Sequence, residues 1–152
     1  MKKQIFKVTV IAGALDIIAA CVQSYISKGV TPDMVLKYVA SGLFGKDAYS
    51  GGAAYLLIGL IIHFFIAFAC TVTYFFVYPK IKVLHRSILL SSLFIAVIAW
   101  FIPSRIIVPI SKIQAQPFNL IKATIATAIL YFSIGLPIAF FTKYFYKSRK
   151  ES

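Results

Sequence analysis

Four long apolar stretches dominate this chain, and they leave it few folds to choose from. They cover residues 8–26, 53–77, 88–110 and 118–141. A helix needs about 20 mostly apolar residues to cross the hydrocarbon core of a bilayer. None of the four alternates with period two, which argues against a β-barrel. Hydrocarbon offers no water to unpaired backbone groups, so helices are the remaining solution. The expected architecture is all-α: an integral-membrane four-helix bundle forming a single transmembrane domain over residues 1–152. Composition agrees, with 61% apolar and 13% charged residues. Soluble domains run nearer about 45–50% and 25%.

The formal charge of +12 is high enough to raise nucleic acid as a partner. Its placement points elsewhere. Lys2, Lys3 and Lys7 precede the first stretch. Lys80, Lys82 and Arg86 lie between the second and third, and Lys143, Lys147, Arg149 and Lys150 follow the fourth. All of these fall on one side. Lys28, Lys37, Lys46, Arg105 and Lys112 fall on the other, and Lys122 lies just inside span four. The positive-inside rule then puts both termini in the cytoplasm. No nucleic acid is needed to explain the charge, and anionic lipid is its natural neighbour.

The loop over residues 27–52 is therefore expected outside the cytoplasm, carrying a short helix. Thr31 is placed to cap it, Pro32 suits the first helical position, and Asp33 complements the dipole. Val35, Tyr38, Val39, Gly42 and Leu43 recur at helical spacing and predict its apolar face.

Ile18-Ala19-Ala20-Cys21 resembles a bacterial lipobox, with Lys2 and Lys3 as a basic leader. Asp16 falls inside what must then be an uncharged segment, and apolar residues continue to Ile26. The stretch reads better as a span than as a signal. Cys21 and Cys70 are expected as small packing residues at opposite ends of their spans, unbridged.

An ionisable group within a span costs a few kcal/mol or more, so each needs a partner, a cavity or a purpose. Asp16 lies about 15 Å from the inner end of span one. Gly13, Ala20, Gln23 and Ser27 continue its face, which should look into the bundle. His63 lies about 21 Å from the inner end of span two, about 6 Å outward of Asp16. Tilt and side-chain length would let the two pair, either to relay protons or as a structural contact between helices. Asp16, His63 and Gln23 are thus the candidates for a polar or proton path. Arg105, Lys122 and Asn119 form a second group nearer the outer surface. They suit an anionic ligand, or lipid head groups reached by snorkelling. Pro103 and Pro109 predict a broken end in span three, and Gly135-Leu136-Pro137 a bend in span four.

No nucleotide-binding loop, HExxH or carboxylate pair is present. No catalytic residue, metal or cofactor is assigned. The nearest enzyme constellation is Asp16 and His63 with a hydroxyl from Ser24, Ser91, Thr71 or Thr124. Haem held by two histidines is disfavoured, because His85 sits in a loop far from His63.

Ile11-Ala12-Gly13, the run His63-Phe64-Phe65-Ile66-Ala67-Phe68, the segment Tyr78-Pro79-Lys80-Ile81-Lys82 and the proline-broken third span carry a resemblance. Together they resemble the YagU-like family of bacterial inner-membrane proteins. That resemblance implies a small multi-pass protein of the bacterial inner membrane and supplies no substrate. The family pattern has a His near the middle of span four, where this chain reads Ala126-Thr127-Ala128. Asp16 has no counterpart in that pattern. In layout the chain also resembles the small multidrug transporters, which carry one acidic residue in the first of four helices. The long first loop and His63 depart from that layout.

The functional expectation is proton-coupled or small-molecule transport through a polar interior path. A structural or assembly subunit of a membrane complex is the alternative, and a lipid-acting membrane enzyme a third. Membrane lipids are the expected partners, with a second copy of the chain or another membrane protein left open. Intact-mass measurement of the membrane-extracted protein is expected to show an unprocessed first span. Loss of the residues before Cys21 together with a gain of diacylglycerol would replace the four-span reading with a lipoprotein.

Overall fold

The computed structural model describes residues 1–114 and 117–148. Arg149 and Lys150, counted in the basic tail, lie outside the described residues, as does Glu151. The fold is all-helical, with no strand among the described residues. Helix α1 spans Lys2–Lys28, α2 Pro32–Phe44, α3 Asp47–Ser50 and α4 Ala53–Val77. A tight turn, Tyr78–Lys80, leads to α5 (Lys82–Arg86). Helices α6 (Ile88–Ile110) and α7 (Leu120–Ser148) complete the chain. Helices α1, α4, α6 and α7 are each long and apolar enough to cross a membrane.

The four long helices form an open ring rather than a closed square. Helix α1 packs on α4 and on α7, and α7 packs on α6. Helices α4 and α6 barely touch. Between them lies an apolar cleft of about 280 Å³, walled by Phe65, Cys70, Tyr74, Phe94, Ile98 and Pro103 among others. The core sits toward the end that carries both termini, where Ile5 and Val8 of α1 meet Tyr74 and Phe75 of α4 and Ile138 of α7. Leu57, Ile61, Phe65 and Phe68 form an exposed apolar stripe along α4. Water would penalise such a stripe, whereas lipid chains cover it without loss.

Prolines shape the two later helices. Pro103 and Pro109 offer no N–H to the carbonyls four residues earlier. The segment Ile102–Ile107 is accordingly wound as a π-helix, with the Val108 N–H reaching back to Pro103 O. Pro137 likewise cannot pair with Ser133 O. There the segment Tyr131–Gly135 takes π-helical winding, and the Leu136 N–H bonds Tyr131 O. The predicted breaks are thus present as local changes of helical pitch.

Helix α2 differs from expectation in its buried face. Val35, Ala40 and Ser41 are buried, while Tyr38 and Leu43 are exposed. The helix lies mainly on α4, and Gly59 admits it, since a Cβ there would overlap the Leu36 backbone. Ser41 remains satisfied because its hydroxyl donates to Tyr38 O at 2.7 Å. Thr31 occupies the N-cap position but makes no capping bond. Its side chain lies beside Asp33, and this neighbour is the first cause holding that exposed carboxyl below its usual range. Asn119 does cap: its Oδ1 accepts the Lys122 N–H at 3.0 Å. Asn119→Ala is therefore expected to cost about 1 kcal/mol, and Thr31→Ala clearly less. Thermal unfolding in detergent followed by circular dichroism compares them; equal losses would contradict the assignment of caps.

Candidate functional site

Three helices meet at one polar cluster midway along the bundle. Asp16 comes from α1, His63 from α4, and Ser133 from the π-helical turn of α7. Close backbone approach brings the first two together. A Cβ on Gly13 would sit 2.8 Å from the Phe64 ring and 3.3 Å from Ala67 Cβ, so only glycine fits there without movement. That approach puts Gly13 O 2.9 Å from His63 Nε2. A carbonyl only accepts, so Nε2 carries hydrogen and donates to Gly13. Asp16 Oδ2 lies 3.9 Å from the same nitrogen, with the two side chains only 15% and 12% exposed.

Ser133 closes the cluster from the other side, its hydroxyl donating to Asp16 Oδ1 at 2.9 Å. Two features of α7 place it. The π-helical turn shifts the register of the helix at that point. Gly135 then lets α7 press on α6, since a Cβ there would overlap Ser92 O. Sequence reasoning located the bend at Gly135-Leu136-Pro137 but not Ser133. The missing signal was Pro137 itself: four residues before a helical proline is the carbonyl that loses its donor, and here that residue is Ser133.

The arrangement has a definite chemical grammar. One carboxylate oxygen is engaged by Ser133 and one imidazole nitrogen by Gly13. Asp16 Oδ2 and His63 Nδ1 are left to take up or release a proton. Ser133 bonds the carboxylate rather than the imidazole. A serine nucleophile requires the histidine between serine and carboxylate, and this order is different. Three of the four hydroxyls considered earlier are engaged elsewhere. Ser91 donates to Leu84 O, Thr71 to Ala67 O and Thr124 to Leu120 O.

Gln23 does not join the cluster. It is exposed, as are Val22, Tyr25, Ile26 and Ser27 around it. The buried positions of α1 stop at Gly13, so its face beyond Cys21 has little to turn toward. Gln23 O instead accepts the Ser27 hydroxyl at 2.6 Å. Arg105, Lys122 and Asn119 are each placed by different contacts around the start of α7. The Arg105 guanidinium lies 4.8 Å from the Phe118 ring centre and 5.6 Å from that of Trp100. Lys122 is exposed, and Asn119 serves as the cap of α7. Trp100 engages both Arg105 and Phe118. Thr127 faces the groove between α6 and α7 and not the cluster. His85 bonds Tyr78 O at 2.7 Å in the connecting turn. Cys21 and Cys70 are both free thiols.

Overfilling a close helix contact costs about 1–3 kcal/mol. Gly13→Val is expected to destabilise by that amount and to separate His63 from Gly13 O. Gly52→Ala, in open space, is expected to leave stability unchanged. Unfolding in detergent distinguishes them; equal stability would show that the helix contact yields freely. Comparison of the chain with protein-family models, with curated proteins and with solved structures finds no match.

Proposed function

We propose that this is a four-span protein of the bacterial inner membrane, with both termini in the cytoplasm and α2 outside it, which exchanges protons with a small molecule at the Asp16–His63–Ser133 cluster. The basic residues grouped at the end with both termini support the orientation. Kinship with YagU-like proteins, carried by the sequence motifs, belongs to the same reading.

The observation behind the exchange is the pairing of Asp16 with His63 at mid-depth. With one proton shared between them, the pair is neutral overall. It is either a carboxylic acid beside a neutral imidazole or a carboxylate beside an imidazolium. Loss of that proton leaves a net negative charge among apolar helices, which is unfavourable unless another charge compensates. A positively charged small molecule would restore neutrality, so its arrival and the proton's departure are coupled by charge balance alone. The cleft between α4 and α6 runs along α4 on the side walled by Phe65, Cys70 and Tyr74, and the three cluster side chains are not among the residues that wall it.

One observation favours a second reading. The cleft is apolar along its length and poorly filled by the chain itself. Side chains from a helix of another membrane protein would fit into it, as in an assembly subunit. Stoichiometric co-purification of a partner, with no flux, would favour that reading.

Reconstituted protein with a pH-sensitive dye inside the vesicles tests the proposal. Asp16→Asn is expected to abolish pH-dependent flux, and His63→Ala to do the same. Flux unchanged in both variants would overturn it.

A further inference from the structure

A second groove lies on the flank of the bundle, between α6 and the first half of α7. It encloses about 510 Å³. Small residues of α7, Ala123, Thr127 and Ala128, leave this space, and larger ones such as Trp100 and Tyr131 bound it. Leu93, Leu120 and Phe132 on its lining are exposed, so the groove is open to its surroundings. Its surface is almost wholly apolar. Thr124, one of its two threonines, gives its hydroxyl proton to Leu120 O. A polar ligand would find little to bind along it, whereas a hydrocarbon chain gives up no hydrogen bond there.

One end of the groove carries a charge. Trp100 and Phe118 both line it, and their rings meet edge to face with centres 6.3 Å apart. The Arg105 guanidinium lies against both, 4.8 Å from the centre of Phe118 and 5.6 Å from that of Trp100. Arg105 belongs to the π-helical segment Ile102–Ile107, five residues after Trp100. Hydrogen bonds of a π-helix also span five residues, and that winding suits a contact at this spacing. Ring contacts hold a guanidinium by its faces and leave N–H groups along its edge to bind two anionic oxygens at once. Among the described residues Arg105 pairs with no carboxylate. Lys122, exposed between the lining residues Leu120 and Ala123, adds a second positive charge on the same part of α7.

We propose that this groove is a binding site for one anionic phospholipid, its phosphate on Arg105 and an acyl chain along α6 and α7. Charge complementarity selects the head: a basic group without a carboxylate partner favours a lipid of net negative charge over a zwitterionic one. The apolar lining selects the chain. Helix α6 starts beside the core at the end with both termini and runs away from it, so the lipid belongs to the leaflet facing the opposite way. Snorkelling would put a guanidinium among any head groups within reach. Here two rings of the groove itself fix the guanidinium, which joins head and chain sites into one. The site requires a surrounding bilayer and does not depend on proton exchange at Asp16 and His63.

Trp100 is the only tryptophan of the chain, so its fluorescence reports on this site alone. The full chain is reconstituted in bilayers mixing phosphatidylglycerol and phosphatidylcholine, with bromine quenchers on the acyl chains of one lipid at a time. Phosphatidylglycerol is expected to bind beside Trp100 roughly fivefold more tightly than phosphatidylcholine, the worth of one basic group near an anionic lipid. Equal affinities overturn the proposal. Arg105→Gln is expected to abolish the preference; a preference kept in that variant overturns the role of Arg105. Ala128→Leu fills the groove far from the charge and is expected to lose most of the preference. An unchanged preference there overturns the groove as the seat of the chain. Inorganic phosphate added to the vesicles is expected to leave quenching unchanged, and displacement of the lipid by it would make a soluble anion the occupant instead.

Discussion

The contact between Gly13 and His63 is the point on which the interior depends. Helices surrounded by apolar chains gain little from burying apolar faces against one another. What holds them is close packing at small residues and hydrogen bonds between helices. Both occur at Gly13. Its missing side chain admits the Phe64 ring and Ala67, and its carbonyl binds the imidazole of His63. The imidazole in turn stands beside Asp16. A larger residue at this one position would loosen the helix pair and the polar cluster together.

The other half of the interior is arranged by a proline. Pro137 cannot supply a backbone hydrogen, so α7 winds more loosely for one turn. That turn delivers Ser133 to Asp16. Irregular backbone at this depth is tolerated where neighbouring helices cover it, and α6 does so at Gly135. Helix α6 carries a similar π-helical segment at Ile102–Ile107. It follows Trp100, so that Arg105 rests against the rings of Trp100 and Phe118 instead of facing the interior. The same physical device therefore serves an interior contact in one helix and a peripheral one in the other.

Much of the fold was legible in the sequence. Four apolar runs of adequate length admit little besides helices, and the prolines marked where those helices change pitch. The pairing of Asp16 with His63 was legible as a possibility from depth alone. Other placements were not legible. Gln23 continues the face of Asp16 by spacing, yet it is exposed, because the buried positions of α1 end at Gly13. The seating of Arg105 against Phe118 and Trp100 was not marked by any spacing in the sequence. The buried face of α2 follows Ala40 and Ser41 rather than the bulkier Tyr38 and Leu43, since close approach to α4 favours small side chains.

The sequence by itself determined the class of structure: apolar length, the absence of period-two patterning and the grouping of basic residues are all properties of one chain read in order. Rotation of each helix about its own axis is a different matter. Lipid and bundle interior are both apolar, so hydropathy does not say which face of a span looks inward. Only the packing of α1, α4, α6 and α7 decided that. It made Ser133 a partner of Asp16, left Gln23 outside and opened the cleft between α4 and α6.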